Sequence, residues 1–362
     1  MLILSLIVLL GCESRREIPT VRLGHAPHDH HAPLYIAAVK EEYFRETGKP
    51  YLKKVSYKNS YKLMIDEKVL ANVEIDSGTG GIQLIRKLDE KILDVSFGGV
   101  PAMISMIDKG SKIKIIAPVM SEGASLVVAK DMPVSDWAGF VKYVKEQKEP
   151  VKIGYKVDVS VQNLIFETAL SAEKLSFSKN IASEDVDVIV INLHGPNNLL
   201  PSLTAGVIDG YVVMQPYPAI AEETGEAKVI SQLSNLPPDG QWKGHPCCAL
   251  AAGTEFIEDH GDIVQAFVDL FERAGKFIIS NPDESAKITA EWLLTSESVE
   301  RRSLPTIKFL SHYTDEWNRG VDLWVKSLNA RGGLTGEVKK GVETSTVGDV
   351  LYDNRFYNKL EE

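Results

Sequence analysis

The chain has 362 residues, of which 44% are hydrophobic and 25% charged, a composition that is typical of globular proteins and excludes a largely disordered chain. This length is too great for one ordinary core and suits two domains. The formal net charge of −10 argues against non-specific binding to nucleic acid, which needs a basic surface.

The chain opens with an apolar run over residues 1–11 that is too short to span a bilayer, for which about twenty apolar residues are needed. It has the length of a signal-peptide core and ends in Leu9-Leu10-Gly11-Cys12, followed by polar residues. This ending resembles the lipobox of secreted lipoproteins, which implies that Cys12 carries lipid and tethers an exported protein. No Lys or Arg precedes the apolar run, and an ordinary cleaved signal peptide is the alternative.

A histidine-rich turn follows the first predicted strand, Val21–Gly24, and precedes a predicted helix over Leu34–Thr47. Four of the eight histidines lie between His25 and His31. Such a loop could hold zinc, but no cluster of cysteines or carboxylates accompanies it in the sequence. Contact of one or two of these histidines with a ligand is therefore the favoured interpretation, and capping or surface roles are the alternative.

A strand, a glycine turn and a helix follow one another in the next part of the chain. Leu93–Phe97 is a short apolar run that predicts a buried strand. Gly98 and Gly99 turn the chain, and Pro101 suits the first position of a helix. A β-branched strand at Ile113–Ile116 completes a βαβ unit. At the turn, free backbone N–H groups and the positive end of the helix dipole face outward.

The same order of elements returns over 208–230. Asp94 lies seven residues before Pro101, Asp209 lies seven before Pro216, and a glycine follows each proline by nine residues. Each unit is also preceded by a helix-like segment that begins with small polar residues. These matches predict two similarly built α/β lobes that face each other across a cleft, where small ligands bind in such sheets.

The second lobe is predicted to begin with the strand Val151–Tyr155, and Cys247–Ala252 is predicted to be the strand that returns to the first lobe. Cys247 and Cys248 are interpreted as two small apolar residues on this buried strand, because neighbouring cysteines rarely bond to each other. Three cysteines give no disulfide framework. Helices are predicted for most of the remainder, over Gly261–Ser280, Asp283–Leu294 and Leu304–Ser327.

The order of these parts resembles the substrate-binding proteins of ABC importers in the nitrate, sulfonate, taurine and bicarbonate group, which is related to thiamine-precursor binding proteins. The resemblance rests on the lipobox, the opening segment His31–Ala37, the unit at 93–102, the segment Ala205–Gly210 that runs into Gln215-Pro216-Tyr217, and the close of the chain from Gly348. It implies an α/β fold of the type II periplasmic-binding-protein kind, with two lobes joined by two crossover strands.

The implied organisation has five parts. These are a lipoprotein signal peptide (1–12), a tether (13–20), a first lobe (21–127 plus 250–330), a second lobe (128–249) and a C-terminal extension packed on the lobes (331–362).

Five turns at predicted strand-to-helix junctions should line the cleft. The expected ligand-binding residues are His28, His30, His31, Ser77, Gly78, Thr79, Gly80, Gly98, Gly99, Val100, Asp158, Ser160, Asn197 and Gln215. Converging helix N-termini favour an anion or a carboxylate. Lys156 is the only Lys or Arg in these turns, which leaves room for a carboxylate, a zwitterion or an aromatic heterocycle. No catalytic residue, metal ligand or cofactor is expected.

The resemblance implies a monomeric, lipid-anchored receptor on the outer face of the cytoplasmic membrane that delivers a small anionic or zwitterionic solute to an ABC permease. Three alternatives remain. One is an enzyme of thiamine-pyrimidine or lyase type on the same fold, against which the lipobox argues. The others are a ligand sensor that docks on a membrane receptor and a metal-binding solute receptor that uses the His25–His31 cluster.

Overall fold

The structure, a computed structural model, describes residues 17–46, 49–80, 82–310 and 312–356, and these form two α/β lobes that each contain one sheet. Their strands are β1 (Thr20–His25), β2 (Tyr51–Ser56), β3 (Ser60–Ile65), β4 (Lys68–Ser77), β5 (Val95–Gly99), β6 (Ile113–Glu122), β7 (Ala124–Ala129), β8 (Val151–Tyr155), β9 (Phe177–Ser178), β10 (Val188–Asn192), β11 (Gly210–Met214), β12 (Ala227–Gln232), β13 (Pro246–Gly253) and β14 (Ile307–Phe309).

The α-helices of the same residues are α1 (Ala32–Val39), α2 (Glu41–Arg45), α3 (Ile82–Asp89), α4 (Val100–Asp108), α5 (Trp137–Glu146), α6 (Val161–Ala172), α7 (Leu199–Thr204), α8 (Tyr217–Thr224), α9 (Thr254–Asp259), α10 (Gly261–Ser280), α11 (Pro282–Leu293), α12 (Glu297–Ser303), α13 (Asp315–Ala330), α14 (Glu337–Thr344) and α15 (Val347–Leu351). Among the described residues, none of these helices is both long and apolar enough to cross a membrane.

The first lobe contains an eight-stranded sheet in the order β14-β6-β13-β5-β1-β4-β3-β2. Strand β1 runs parallel to β4 and β5, so the carboxyl ends of these three strands meet at one edge. Strand β13 lies antiparallel between β5 and β6, which places its first residues at the same edge. The predicted strand Cys247–Ala252 therefore begins beside the glycine turn that follows β5.

The second lobe contains a six-stranded sheet in the order β12-β7-β11-β8-β10-β9. Strands β8, β10 and β11 are parallel, and β7 pairs antiparallel with β11 and β12. The two units of the sequence repeat thus contribute β5 to one sheet and β11 to the other. In such sheets the loops at the carboxyl ends of parallel strands form the ligand crevice, and both lobes present such loops.

The chain passes from the first sheet to the second at Gly123, between β6 and β7. Gly123 has a φ of 68°, a left-handed conformation that glycine adopts without steric cost. The chain returns to the first sheet at Pro246, where β13 begins. The predicted boundaries at 127/128 and 249/250 lie inside β7 and β13, a few residues after the points at which the sheets change.

Three regions differ from the secondary structure expected from the sequence, and in the first of them the predicted helix Leu34–Thr47 is divided at Lys40 into α1 and α2. No element is predicted over 51–65, where β2 and β3 form a hairpin that extends the first sheet. The predicted helix Leu304–Ser327 is divided, because β14 pairs with the edge of β6 before α13 begins. Thr314 caps α13 by accepting a hydrogen bond from the N–H of Trp317 at 3.0 Å, which fixes the start of that helix.

The C-terminal residues pack on the first lobe around Asp108 at the end of α4. The buried Asp108 carboxylate accepts hydrogen bonds from the N–H groups of Thr335, Gly336 and Lys339. These bonds satisfy backbone donors at the start of α14 that have no partner within the helix. Tyr352 forms a parallel bridge with Ile115 in β6. The described part of the predicted extension 331–362 thus packs closely on the helix that begins at the cleft.

Arg331, at the end of α13, joins this C-terminal part of the first lobe to the second lobe. Its guanidinium forms an ion pair with Glu167 on α6 and donates to the Leu164 carbonyl at 3.3 Å and the Thr168 hydroxyl at 3.2 Å. The Glu167 side chain is 4% exposed and also accepts from the Asn163 amide at 2.8 Å. A charge-assisted contact at a buried carboxylate therefore links the lobes.

Replacing Arg331 with alanine should weaken this link. Hydrogen bonds to charged groups contribute about 1.5–3 kcal/mol, so we expect Arg331→Ala to lower the free energy of unfolding by that amount. We also expect a larger radius of gyration in small-angle scattering of the ligand-free chain. Arg319→Ala, at an exposed position on the same helix, is the control and should change neither quantity. Identical scattering and unfolding of Arg331→Ala and the parent would refute the link.

Candidate functional site

A small cavity of about 30 Å³ lies between the two lobes. The first lobe contributes the loop after β1, the junction between β5 and α4, and the start of β13. The second lobe contributes the loop after β8 and the start of α6. The cavity is lined by His28, His30, His31, Gly98, Gly99, Pro101, Ala102, Lys156, Val159, Ser160, Val161, Gln162, Cys247 and Cys248. Residues of both lobes thus enclose it.

His30 is the histidine whose orientation is best defined. It is 1% exposed, and its Nε2 lies 2.9 Å from the carbonyl oxygen of Gly123 at the crossover. Because a carbonyl can only accept, this contact requires a proton on Nε2, and Nδ1 is then the acceptor nitrogen of the neutral tautomer. That nitrogen lies 3.3 Å from the Cys247 sulfur and 3.8 Å from the Cys248 sulfur.

The other histidines of the turn are buried and neutral. Burial lowers the pKa of His25 to about 4, and it lowers the pKa of His28 and His31 well below the usual value. His31 accepts a hydrogen bond from the Ala26 N–H through Nδ1 at 2.9 Å, which leaves its Nε2 without a partner. The turn is held from behind by the Tyr35 hydroxyl, which donates to the His28 carbonyl at 2.9 Å.

A pair of buried carboxyls lies behind the histidine turn. Asp29 is 0% exposed, and its carboxyl lies beside that of Glu300. Burial and the nearby carboxyl of Glu300 raise the pKa of Asp29 well above its usual value, and burial also raises the pKa of Glu300. Two such groups cannot both be ionised in an apolar surrounding, so the pair holds at least one proton near neutral pH.

The wall from the second lobe is polar. Ser160 caps α6 by accepting from the Asn163 N–H at 3.3 Å, and the Gln162 amide lies 3.8 Å from the Cys247 sulfur. Lys156 also lines the cavity, where burial lowers its pKa while the neighbouring thiols oppose that shift. This wall therefore presents one cationic side chain and the start of a helix to whatever the cavity holds.

The two cysteines face the same cavity because β13 is irregular. Adjacent residues of a regular strand point to opposite faces. Here Pro246 pairs with Ser121 and Cys248 pairs with Met120, so Cys247 is an extra residue in a β-bulge. A hydrogen bond from the Cys248 thiol and the nearby His30 lower the pKa of Cys247, whereas the same bond and burial raise the pKa of Cys248.

The structure brings six of the residues expected from the sequence to this cavity. They are His28, His30, His31, Gly98, Gly99 and Ser160. Each lies at or just after the carboxyl end of a parallel strand, as the strand-to-helix junctions predicted. These six residues come from both lobes, and they form a large part of the cavity wall.

The other eight expected residues do not line the cavity. Ser77 ends β4, and Gly78, Thr79 and Gly80 lie between β4 and α3, where the Gly78 N–H donates to the His25 carbonyl at 2.8 Å and Thr79 donates to Gln83. Val100 is buried at the start of α4. The remaining three make local contacts: Asp158 accepts from the Tyr155 hydroxyl, Asn197 from the Tyr217 hydroxyl and Gln215 from the Ala219 N–H. For these eight residues a ligand contact stays a prediction.

Eight cavity residues were absent from the expected set, and they are Pro101, Ala102, Lys156, Val159, Val161, Gln162, Cys247 and Cys248. Lys156 was noticed as the only cation of its turn but was not assigned to the site. The interpretation of the cysteines as small apolar residues agrees with their burial, at 3% and 4% exposure, but it did not include their position in the cleft. The predicted strand Cys247–Ala252 could have indicated this position, because a strand that follows the crossover between the lobes begins at the cleft.

The comparisons with known proteins agree with this architecture. The sequence profile of the NMT1-like family matches residues 14–294. An uncharacterized protein of Methanocaldococcus jannaschii, MJ1180, is 33% identical over 133 residues, which are 36% of this chain and 92% of that protein.

Solved structures with the same fold include three binding components of importers or periplasmic receptors. The ligand-binding component of an ABC-type import system from Staphylococcus aureus, with zinc bound, has a TM-score of 0.71 at 16% identity and covers 94% of this chain and 98% of that one. The periplasmic nitrate-binding protein NrtA of Synechocystis PCC 6803 has a TM-score of 0.69 at 16% identity, with coverages of 95% and 88%.

The third is the alkanesulfonate-binding protein SsuA of Xanthomonas axonopodis pv. citri bound to MOPS, with a TM-score of 0.67 at 13% identity and coverages of 93% and 99%. At these identities the likeness establishes a shared fold. The predicted periplasmic-binding-protein-like α/β fold is confirmed. The predicted resemblance to the nitrate- and sulfonate-binding proteins of ABC importers is confirmed as well.

The buried histidines should make the protein less stable in acid. An unfolded histidine binds a proton near pH 6.5, whereas folded His25 does so near pH 4. The stability that neutral His25 contributes is therefore complete above about pH 6.5 and is lost as the pH falls towards 4. His28 and His31 act in the same direction, whereas Asp29 and Glu300, with raised pKa values, favour the folded state as the pH falls.

We expect His25→Gln to reduce the difference in unfolding free energy between pH 7 and pH 5 by about 2 kcal/mol, because the substitution removes that titration. Urea unfolding at the two pH values measures the difference. The exposed His194 has a φ of 56°, which asparagine tolerates, so His194→Asn is the control. An unchanged difference in His25→Gln would show that His25 does not stay neutral when folded.

Proposed function

Because the chain belongs to the NMT1-like family, we propose that it is the solute-binding protein of an ABC importer, which captures a small solute between its lobes and delivers it to a permease. The observation that carries this proposal is the cavity itself, which is walled by His28, His30 and Gly99 from one lobe and by Lys156 and Ser160 from the other. A solute held there makes contacts to both lobes, and these contacts favour the closed arrangement over an open one.

The chemistry of the walls favours an anionic or zwitterionic solute. Helices α4 and α6 begin at the cavity from opposite lobes, and their first N–H groups can donate to an anion. Lys156 supplies the cation, and the neutral histidines supply further donors or acceptors without adding charge. Nitrate, bicarbonate, a sulfonate or taurine would be suitable in charge, as would a small carboxylate. No catalytic step is assigned to the site.

The proposal also places the protein on the outer face of the cytoplasmic membrane as a lipid-anchored monomer. Its support is the lipobox-like sequence that ends in Cys12, which lies outside the described residues. Lipid on this cysteine would hold the receptor near its permease, since an acyl anchor binds membranes through its buried methylene groups.

The anchor is tested by Cys12→Ala in the native host. We expect the variant to move from the membrane fraction to the soluble extract, because the substitution removes the site of lipid attachment. Fractionation with high-salt washes followed by immunoblotting measures this distribution. A variant that stays with the membrane through those washes would rule out the lipobox interpretation.

The cleft is tested by Gly99→Val. Gly99 has a φ of −72°, and a Cβ added there meets only the Cys247 carbonyl oxygen at 3.8 Å, so the backbone accepts a side chain that then fills the small cavity. We expect affinity for the solute to fall by at least about tenfold, or roughly 1.4 kcal/mol. Native mass spectrometry of protein purified from its own cells identifies the solute, and calorimetry measures its affinity.

Gly253→Val is a matched control for this experiment. Gly253 also joins a strand to a helix, with a φ of −66° and no atom within 4 Å of an added Cβ, but it lies at the opposite end of β13. The Gly253→Val variant should bind the solute with the affinity of the parent protein. Full affinity and unchanged compaction in Gly99→Val would place the binding site elsewhere.

A further inference from the structure

We propose that His30, Cys247 and Cys248 form a zinc site in the interlobe cavity, with the fourth coordination position open to the solute. The inference deepens the proposed solute-binding function and rests on it only for the occupant of that fourth position. The three donor atoms, one imidazole nitrogen and two sulfurs, lie within 4.8 Å of one another, and all three residues are buried.

The distances suit one tetrahedral ion. Zinc binds sulfur at about 2.3 Å and imidazole nitrogen at about 2.0–2.1 Å, so a nitrogen and a sulfur on the same tetrahedral ion lie about 3.6 Å apart. The His30 Nδ1 lies 3.3 Å from one sulfur and 3.8 Å from the other, on either side of that value. Two thiolates and one imidazole with an open position is a ligand set that zinc proteins use.

The backbone around the three residues prepares them for this role. The bulge at Cys247 turns two adjacent side chains towards one point, which a regular strand would separate. The Gly123 carbonyl binds the Nε2 of His30 and so directs the unprotonated Nδ1 towards the sulfurs. Metal-bound histidines usually donate their second ring N–H in this way, which fixes the tautomer and the orientation of the ring.

The charges of the site agree with a metal and an anionic co-ligand. Binding converts two thiols to thiolates and releases their protons, so the ion and its thiolates are together neutral. The nearby Lys156 then leaves one positive charge in the cavity, which an anionic group of the solute would balance. Gln162, whose amide oxygen has no partner, lies beside Cys247 on the wall that this fourth ligand would face.

Zinc alone tests the site. The full chain is reduced, stripped of metal with a chelator and titrated with Zn²⁺ by calorimetry, and Co²⁺ is added in parallel as a spectroscopic substitute. We expect one ion per chain, an affinity that rises with pH, and a sulfur-to-cobalt charge-transfer band. Cys247→Ser and Cys248→Ser should each weaken zinc binding by at least a hundredfold, and the double variant should lose the band.

Cys12→Ser is the matched control, since it changes the third cysteine of the chain, and it should bind zinc like the parent. Thermal unfolding without metal shows whether the serine variants fold. A cobalt complex without the charge-transfer band, or a double variant that binds zinc like the parent, would overturn the inference.

Parallel native mass spectrometry and scattering separate the two proposals. If the chain retains a solute and compacts but binds no zinc, the zinc site fails and the solute-binding function stands. If the chain binds zinc and neither retains a solute nor compacts, the solute-binding function fails and the zinc site stands without a role in capture.

Discussion

The carbonyl oxygen of Gly123 is the point at which the crossover, both lobes and the cavity meet. It accepts the Nε2–H of His30 from the first lobe and, at 3.0 Å, the backbone N–H of Gln215 from the second. Gly123 has a positive φ, and an added Cβ would lie 2.9 Å from the His30 ring and 2.6 Å from Ile307. The backbone path between the sheets therefore depends on glycine, and the same residue sets the orientation of a cavity side chain.

The cavity combines groups that are costly to bury. Three neutral histidines and a pair of carboxyls lie within or behind the histidine turn, and two thiols face the cavity from β13. Several of the histidine nitrogens have no hydrogen-bond partner among the described residues. Unpaired buried polar groups destabilise a fold unless something else binds them. A bound solute or ion would form hydrogen bonds or coordination bonds with some of these groups. The ligand would therefore stabilise the closed arrangement of the lobes.

Closure has contacts of its own on two sides of the cavity. Arg331 links the C-terminal part of the first lobe to Glu167 on α6. On another side, Ser296 and Arg302 from α12 contact Glu223 on α8, at 2.7 Å and 3.6 Å. The contacts of Ser296 and Arg302 are partly exposed and contribute modestly, whereas the Arg331 contact is made to a buried carboxylate and contributes more.

The sequence by itself determined the two-lobed α/β plan, because hydrophobic runs, glycine turns and helix-starting prolines are local signals that repeat with fixed spacing in the two units at 93–110 and 208–225. It also predicted six cavity residues, since a turn after a parallel strand lies at the ligand-binding edge. Tertiary structure alone decided that the cysteines face His30, because a bulge and an antiparallel register determine which way a strand residue points. It likewise decided that residues Ser77–Gly80 are not among those that line the cavity, because the packing of neighbouring strands and helices, which local sequence does not encode, selects which loops converge.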